Sequence, residues 1–310
     1  MKRTILITGV AGFLGRTLAH HFFGQGWDVV GVDILSPENS PAAFLKQYLP
    51  VYLPDHSFVE LLQSMHPTAC IHCAGRSSVG ASVAQPLEDY NQGPALTSYL
   101  LNCLHENVPD CKIVLFSSAA VYGNPSILPV SEELAEAPIS PYGYHKWQSE
   151  ILCREYAQVY HQPTASVRIF SAYGPGLRRQ VLWDICEKAV SGNVVNLFGT
   201  GKEGRDFIHT LDIARGVEAI LKSAAFSGES YNLASGRQTF ISDLADQIIE
   251  LLKLNSKKVV FDQVTHLGDP KNWQADINKI KLLGFEPEVA FEKGLRDYVN
   301  WFQFEWGRGL

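Results

Sequence analysis

Thr4-Ile5-Leu6-Ile7-Thr8-Gly9-Val10-Ala11-Gly12-Phe13-Leu14-Gly15 is the stretch on which the reading of this chain turns. An apolar run ends at a glycine, and two more glycines follow at three-residue spacing. Arg3–Thr8 reads as a strand. Gly12–Gln25 reads as a helix, because Phe13, Leu14, Leu18 and Phe22 fall near helical spacing. A glycine turn at such a junction lets the backbone approach a pyrophosphate closely. The helix N-terminus behind it offers free N–H groups and a partial positive charge. Asp28-Val29-Val30-Gly31-Val32-Asp33 follows as a second strand, and Asp33 stands 18 positions beyond Gly15. A carboxylate there accepts hydrogen bonds from adenosine ribose hydroxyls and repels a 2′-phosphate. No arginine follows Asp33. The stretch therefore predicts a site for NAD rather than NADP, with Gly9, Gly12, Phe13, Leu14, Gly15 and Asp33 as cofactor-binding residues.

Working outward, Val51–Leu53, Ala69–Ala74, Ile113–Ser117 and Ala165–Phe170 read as further short strands, with helices near 56–65, 94–107 and 141–160 between them. Near-continuous apolar strands alternating with helices mean a parallel sheet covered on both faces, and right-handed crossovers make it doubly wound. Ala74 and Gly75 close the fourth strand, where small residues leave room for the cofactor. Asp55 either receives the adenine amino group or caps the helix that starts near His56. After about residue 170 the texture changes to short pieces and glycine turns, Tyr173-Gly174-Pro175-Gly176 and Phe198-Gly199-Thr200-Gly201, with helices near 181–191, 210–224, 241–254 and 291–303. The expected fold class is α/β: a doubly wound parallel Rossmann sheet over 1–170 and a smaller α+β substrate lobe over 171–310. A segment of about 206–235 is expected to return to the first domain.

The chain has 310 residues with a formal net charge of -6, and its lysines and arginines form no basic stripe, which argues against nucleic acid as a partner. No apolar run approaches the roughly 18 residues of a membrane span. Met1-Lys2-Arg3 and the run behind it resemble a signal peptide only superficially, because glycines interrupt the run and no A-x-A-like site follows. Cys70-Ile71-His72-Cys73 has C-x-x-C form, but it lies within an apolar strand and has no second pair to complete a zinc site. Six cysteines read as buried free thiols of a reducing cytoplasm, and no metal is expected.

Ser140-Pro141-Tyr142-Gly143-Tyr144-His145-Lys146 opens a helix, with Ser140 suited to the N-cap and Pro141 to the first helical position. Tyr142 and Lys146 are four apart and share a helix face. A phenol of pKa ~10 must reach about 7 to serve as a base, a cost of roughly 4 kcal/mol. A neighbouring ammonium and the positive helix end both favour the phenolate. Lysine also reaches ribose hydroxyls, so Tyr142 and Lys146 belong to the cofactor set as well. Ser118 ends the fifth strand in Phe116-Ser117-Ser118-Ala119-Ala120-Val121-Tyr122-Gly123, at the sheet edge where substrates bind. Ser118, Tyr142 and Lys146 are the candidate catalytic residues, and Ser118 is also placed to hold a substrate hydroxyl.

Taken together, Gly9-x-x-Gly12-x-x-Gly15, Asp33, the Ser118 segment, Tyr142-x-x-x-Lys146 and Tyr173-Gly174-Pro175-Gly176 resemble the extended short-chain dehydrogenase/reductases. Within these they are similar to the NAD-dependent epimerase/dehydratase group that acts on nucleotide sugars. The resemblance runs nearly end to end. Gly204-Arg205-Asp206-Phe207-Ile208-His209, followed by Asp212, resembles the substrate-lobe signature, which implies that Arg205 contacts the nucleotide diphosphate. Leu267-Gly268-Asp269 with Ala275-Asp276 resembles the late family segment, and Asp269 and His266 are assigned to substrate. Ser171 stands where relatives often have asparagine, and His266 lies near the place of a usual arginine. Arg178 and Arg179 follow the Gly-Pro-Gly turn, with Arg178 the candidate to compensate at the phosphates. Asn91, in a shortened segment Asn91-Gln92-Gly93-Pro94, is carried over as a cofactor contact.

The resemblance also bears on the reaction. Relatives that eliminate water carry an Asp-Glu pair after the serine or threonine, and decarboxylating relatives carry a glutamate at the second of those places. This chain has Ala119 and Ala120. The expected activity is a nucleotide-diphosphate-sugar 4-epimerase. The alternatives are a 4-ketoreductase or dehydrogenase using the same triad, and a non-catalytic NAD-binding protein. A homodimer, packed through the helices near 94–107 and 141–160, is implied by the resemblance; Tyr99, Leu100, Leu104, Leu152, Tyr156 and Val159 serve either that contact or the chain's own core.

Overall fold

A computed structural model of the chain describes residues 3–254, 257–264, 268 and 270–307. In chain order the strands are β1 Thr4–Thr8, β2 Asp28–Asp33, β3 Gln47–Pro50, β4 Ala69–His72, β5 Lys112–Ser118, β6 Thr164–Ile169, β7 Ser171–Tyr173, β8 Val194–Leu197, β9 Gly204–His209, β10 Ser227–Leu233, β11 Gln238–Phe240 and β12 Lys258–Phe261. The helices are α1 Phe13–Gly24, α2 His56–Met65, α3 Val79–Ala84, α4 Pro86–Tyr90, α5 Leu96–Asn107, α6 Pro141–Tyr160, α7 Gln180–Ser191, α8 Thr210–Ser223, α9 Ile241–Leu251, α10 Asn278–Lys281 and α11 Phe291–Gly307.

Seven strands form the central sheet in the order β10-β6-β5-β4-β1-β2-β3, every pair parallel. Alternation along each strand divides its side chains between two cores. Ile5 and Ile7 join Ile71, Val114 and Phe116 beneath Leu18 and Phe22 of α1 and Val217 and Ile220 of α8. Leu6 joins Val30, Cys70 and Leu115 beneath Leu61 of α2 and Leu100 and Leu104 of α5. This is the doubly wound sheet expected from the sequence. Leu100 and Leu104 serve the chain's own core, whereas Val159 remains 63% exposed. A third core joins α7, α9 and α11 around Leu182, Ile248 and Phe302. Above it lie a three-stranded sheet, β11-β9-β7, and the parallel pair β12-β8.

One strand differs from its predicted place. β3 is Gln47–Pro50, paired with Val30–Asp33, rather than Val51–Leu53. It is an edge strand with no fully buried residue, so it needs no apolar run to form. The apolar residues that imitated a strand, Val51 and Leu53, turn into the cleft described below.

Candidate active site

The glycine turn at the end of β1 is set by close contact. Gly9 has φ +69, and a Cβ there would stand 2.7 Å from the Ala74 backbone nitrogen. A Cβ on Gly15 would stand 2.2 Å from the Gly9 carbonyl oxygen, so α1 reaches the sheet only because that atom is missing. Gly12 is the N-cap of α1 and no side chain caps it. The first-turn N–H groups have no intrahelical partner, and Gly12, Phe13, Leu14 and Gly15 line the cleft. Asp33 at the end of β2 accepts from Ala11 N at 2.9 Å and Leu35 N at 3.2 Å, which fixes its carboxylate at the rim. These features fit NAD: a cradle that side chains would fill, an uncapped helix end for a pyrophosphate, and an oriented carboxylate for ribose hydroxyls.

A cleft of about 1030 Å³ opens along the carboxyl ends of β1, β4 and β5. It is lined by Gly9, Gly12, Phe13, Leu14, Gly15, Asp33, Ala74 and Gly75 at one end and by Ser118, Tyr142, Lys146, Ser171 and Arg205 towards the other. Its size suits a dinucleotide and a second ligand together.

Ser140 caps α6 by accepting from Gly143 N at 3.2 Å, with Pro141 in the first turn. Tyr142 N donates to Ser82 Oγ at 3.0 Å, tying the start of α6 to α3. Gly143 lets α6 press on the Ser118 segment, since a Cβ there would stand 2.5 Å from the Ala120 carbonyl oxygen. Lys146 Nζ donates to Phe116 O at 2.8 Å and lies 5.7 Å from the centre of the Tyr142 ring. Ser118 Oγ accepts from Ala120 N at 3.2 Å.

Beneath α6, Arg168 of β6 and Glu150 of α6 are each 1% exposed and meet through Nε and Nη2 at 2.7–3.1 Å. Ser117, Ser230 and Arg168 all donate to the Glu150 carboxylate, and Tyr122 receives Arg168 Nη1 at 2.9 Å. Burial pulls the Arg168 pKa down, but Glu150 outweighs it and holds the guanidinium above its ordinary range.

Three expected contacts fall elsewhere. Asp55 caps α2, accepting from Ser57 N at 2.8 Å, and does not line the cleft. Asn91 begins a wide π-type turn, Asn91–Ala95, containing Pro94; it borders a side hollow, while Gln92 reaches the cleft. Arg178 turns outward to pair with Glu305, and Arg179 takes the place in the wall. His266 and Asp269 lie outside the described residues. Sequence reading did not single out Arg76, Phe170, Lys271 or Trp273, which also line the cleft. Trp273 Nε1 donates to Gly123 O at 3.1 Å, and its ring stands 5.6 Å from the Arg205 guanidinium. No periodicity marks these loop residues; an aromatic and a lysine beside the late Gly-Asp were the available signal.

The C-x-x-C reading resolves as two free thiols, with burial pushing Cys70 and Cys73 above the usual thiol range. Among the described residues no cluster of potential metal ligands occurs, and no helix is long and apolar enough to cross a membrane.

The sheet, the glycine turn and the Ser118–Tyr142–Lys146 site define a dinucleotide-dependent enzyme of the extended short-chain dehydrogenase/reductase type. The NAD dependent epimerase/dehydratase family matches residues 5–234, and the chain belongs to it. A UDP-glucuronate 4-epimerase of Thermodesulfobacterium geofontis is 33% identical over 96% of this chain and 95% of its own length. Among solved structures, a UDP-glucuronic acid 4-epimerase of Bacillus cereus in complex with UDP-glucuronic acid and NAD is 27% identical, with TM-score 0.88 over 97% of this chain and 99% of that one. A UDP-glucose 4-epimerase of Thermotoga maritima is 26% identical, with TM-score 0.88 over 98% of this chain and 99% of that one.

Proposed function

We propose that this chain is an NAD-dependent nucleotide-diphosphate-sugar 4-epimerase. The observation that carries the reading is the single cleft in which Ser118, Tyr142 and Lys146 meet the glycine turn, with Ala119 and Ala120 directly after Ser118. Alanine neither donates nor accepts a proton, so the two positions directly after Ser118 supply no acid for elimination across C5 and C6.

In this reading Tyr142 takes the proton of the C4 hydroxyl, and Ser118 holds the same oxygen as it becomes a carbonyl. Lys146 stabilises the phenolate electrostatically. NAD, held by the Gly9–Gly15 turn and Asp33, would supply the reversible hydride chemistry at the sugar's C4. The 4-keto sugar turns over in the cleft, and Tyr142 gives the proton back after the opposite face is presented. Arg205, Arg179 and Ser171 are assigned to the nucleotide diphosphate end.

Two coarser expectations complete the reading. Ile151, Val159 and Tyr160 are 43%, 63% and 45% exposed on α6, an apolar surface that suits a homodimer contact. Six free thiols suit a reducing cytoplasm.

The test is incubation with UDP-glucose, UDP-galactose, UDP-N-acetylglucosamine and UDP-glucuronate, each with trace NAD, followed by product identification by NMR. A C4 epimer without net NADH is expected. Stoichiometric NADH accumulation makes the enzyme a dehydrogenase instead.

A further inference from the structure

Residues 174–179 join β7 to α7 and form part of the cleft wall. Leu177, Arg179 and Gln180 line the cleft, and Arg178 does not. The backbone accounts for the alternation. Arg179 is fully extended, at φ -163 and ψ -179, so its side chain and that of Arg178 leave the chain on opposite sides. Gln180 then turns at φ 63, a left-handed conformation that a residue with a side chain adopts where its surroundings impose it.

Those surroundings include α11. Tyr298 Oη donates to Leu177 O at 2.9 Å, the Arg178 guanidinium lies 5.9 Å from the Trp301 ring, and Glu305 pairs with Arg178. The three side chains of α11 stand at i, i+3 and i+7, which places them on one helix face. Tyr298 is fully buried in the third core, so the Leu177 carbonyl is held by a fixed group.

Two arginines in succession compete for one anion. In an extended segment a slip of one residue exchanges the side chains on its two sides. Glu305 decides between them by engaging Arg178 on the outer side. Arg179 is left on the cleft wall, with no hydrogen bond or ion pair among the described residues.

We propose that Tyr298, Trp301 and Glu305 form a clamp on the 174–180 loop, with Arg178 as its handle, that aims Arg179 at the diphosphate of the substrate. Arg178 and Glu305 are positioning residues, outside the cleft wall. The inference rests on the diphosphate role given to Arg179 above and holds whichever sugar reaction occurs.

The test is calorimetric titration of UDP into the NAD-loaded enzyme. It compares wild type, Glu305→Arg, the charge swap Arg178→Glu with Glu305→Arg, Arg179→Leu, and Arg179→Leu with Glu305→Arg. Glu305→Arg sets a like charge against Arg178 and is expected to weaken UDP by about 3- to 10-fold, with NAD affinity and melting temperature unchanged. The charge swap is expected to restore binding. In the Arg179→Leu background Glu305→Arg is expected to have no further effect, because the clamp then has nothing to aim. Wild-type UDP affinity in Glu305→Arg overturns the proposal, as does a loss of equal size in both backgrounds. A wild type that binds none of UDP, dTDP, GDP, CDP and ADP removes the diphosphate role of Arg179 and the clamp's purpose with it, a result seen before any variant is made. Failure of the epimerase reading alone appears in the product spectra and leaves the titration unchanged.

Discussion

Tyr142 shows what single residues decide here. Its position one helical turn before Lys146 puts the phenol and the ammonium on one face, and Gly143 between them lets that face press on the end of β5. Tyr142→Phe removes one oxygen from a partly exposed position and leaves the cap, the Ser82 contact and the Lys146 contact in place. It is expected to lower kcat by about 10²- to 10⁴-fold, the usual worth of a positioned acid–base group, with NAD affinity unchanged. Rates by NMR and affinity by calorimetry check this; near-wild-type turnover would transfer the proton role to another group. The same scale explains the legibility of the cofactor site. Gly9, Gly15 and Asp33 were readable because each meets a constraint that the local sequence announces: a positive φ, a missing Cβ, a strand end. Arg178 and Arg179 were not separable that way. The turn before them contains Gly174 and Gly176 at φ +148 and +100, and which arginine faces inward depends on that backbone path.

At the scale of elements, α6 was legible from end to end because its signals are chemical. Ser140 caps it, Pro141 fits its first turn, and the chain leaves it through His161 at φ 57. β3 was not legible, because an edge strand is specified by its partner's hydrogen bonds more than by its own side chains. The same holds for the wide turn at Asn91–Ala95, which only Pro94 hints at and which begins at Asn91, beside the side hollow. Arg168 of β6, which also pairs with Glu136, is tied to Glu150 of α6 by a buried ion pair. Removing one partner of such a buried pair strands the other's charge. Arg168→Leu is therefore expected to destabilise the fold by about 3–5 kcal/mol, while replacing both partners with leucine restores much of the loss. Urea denaturation of the two single variants and the double variant tests it. Arg168→Leu as stable as the wild type would mean that the Glu150 carboxylate is satisfied by Ser117 and Ser230 alone, and an unaffected Glu150→Leu would mean that Glu136 suffices for Arg168.

For the whole molecule, titratable groups buried among strands from distant parts of the chain make stability depend on pH. Asp206 of β9 is buried and joins distant segments by accepting from Ser235 N, Gly236 N and Ala275 N at 2.8–3.1 Å. His72, at the end of β4, is 2% exposed with Nδ1 2.7 Å from Thr8 Oγ1. Burial, aided by the nearby Lys146 ammonium, depresses its pKa from 6.5 to about 3. Below pH 6.5 the unfolded chain binds a proton at this position that the folded chain does not. The stability His72 supports is thus complete above pH 6.5 and is lost as pH falls towards 3. Burial lifts Asp206 to about 6, which works in the opposite direction over part of the same interval, so the wild-type pH profile alone does not isolate either group. Comparing wild type with His72→Asn does. Asparagine keeps a polar group near Thr8 and does not titrate. Between pH 7.5 and 5.5 the wild type is expected to lose about 1.4 kcal/mol more than the variant, one unit of titration in the unfolded chain. Denaturant midpoints at the two pH values measure the difference, and parallel losses in the two proteins would show that His72 takes up its proton in the folded cleft.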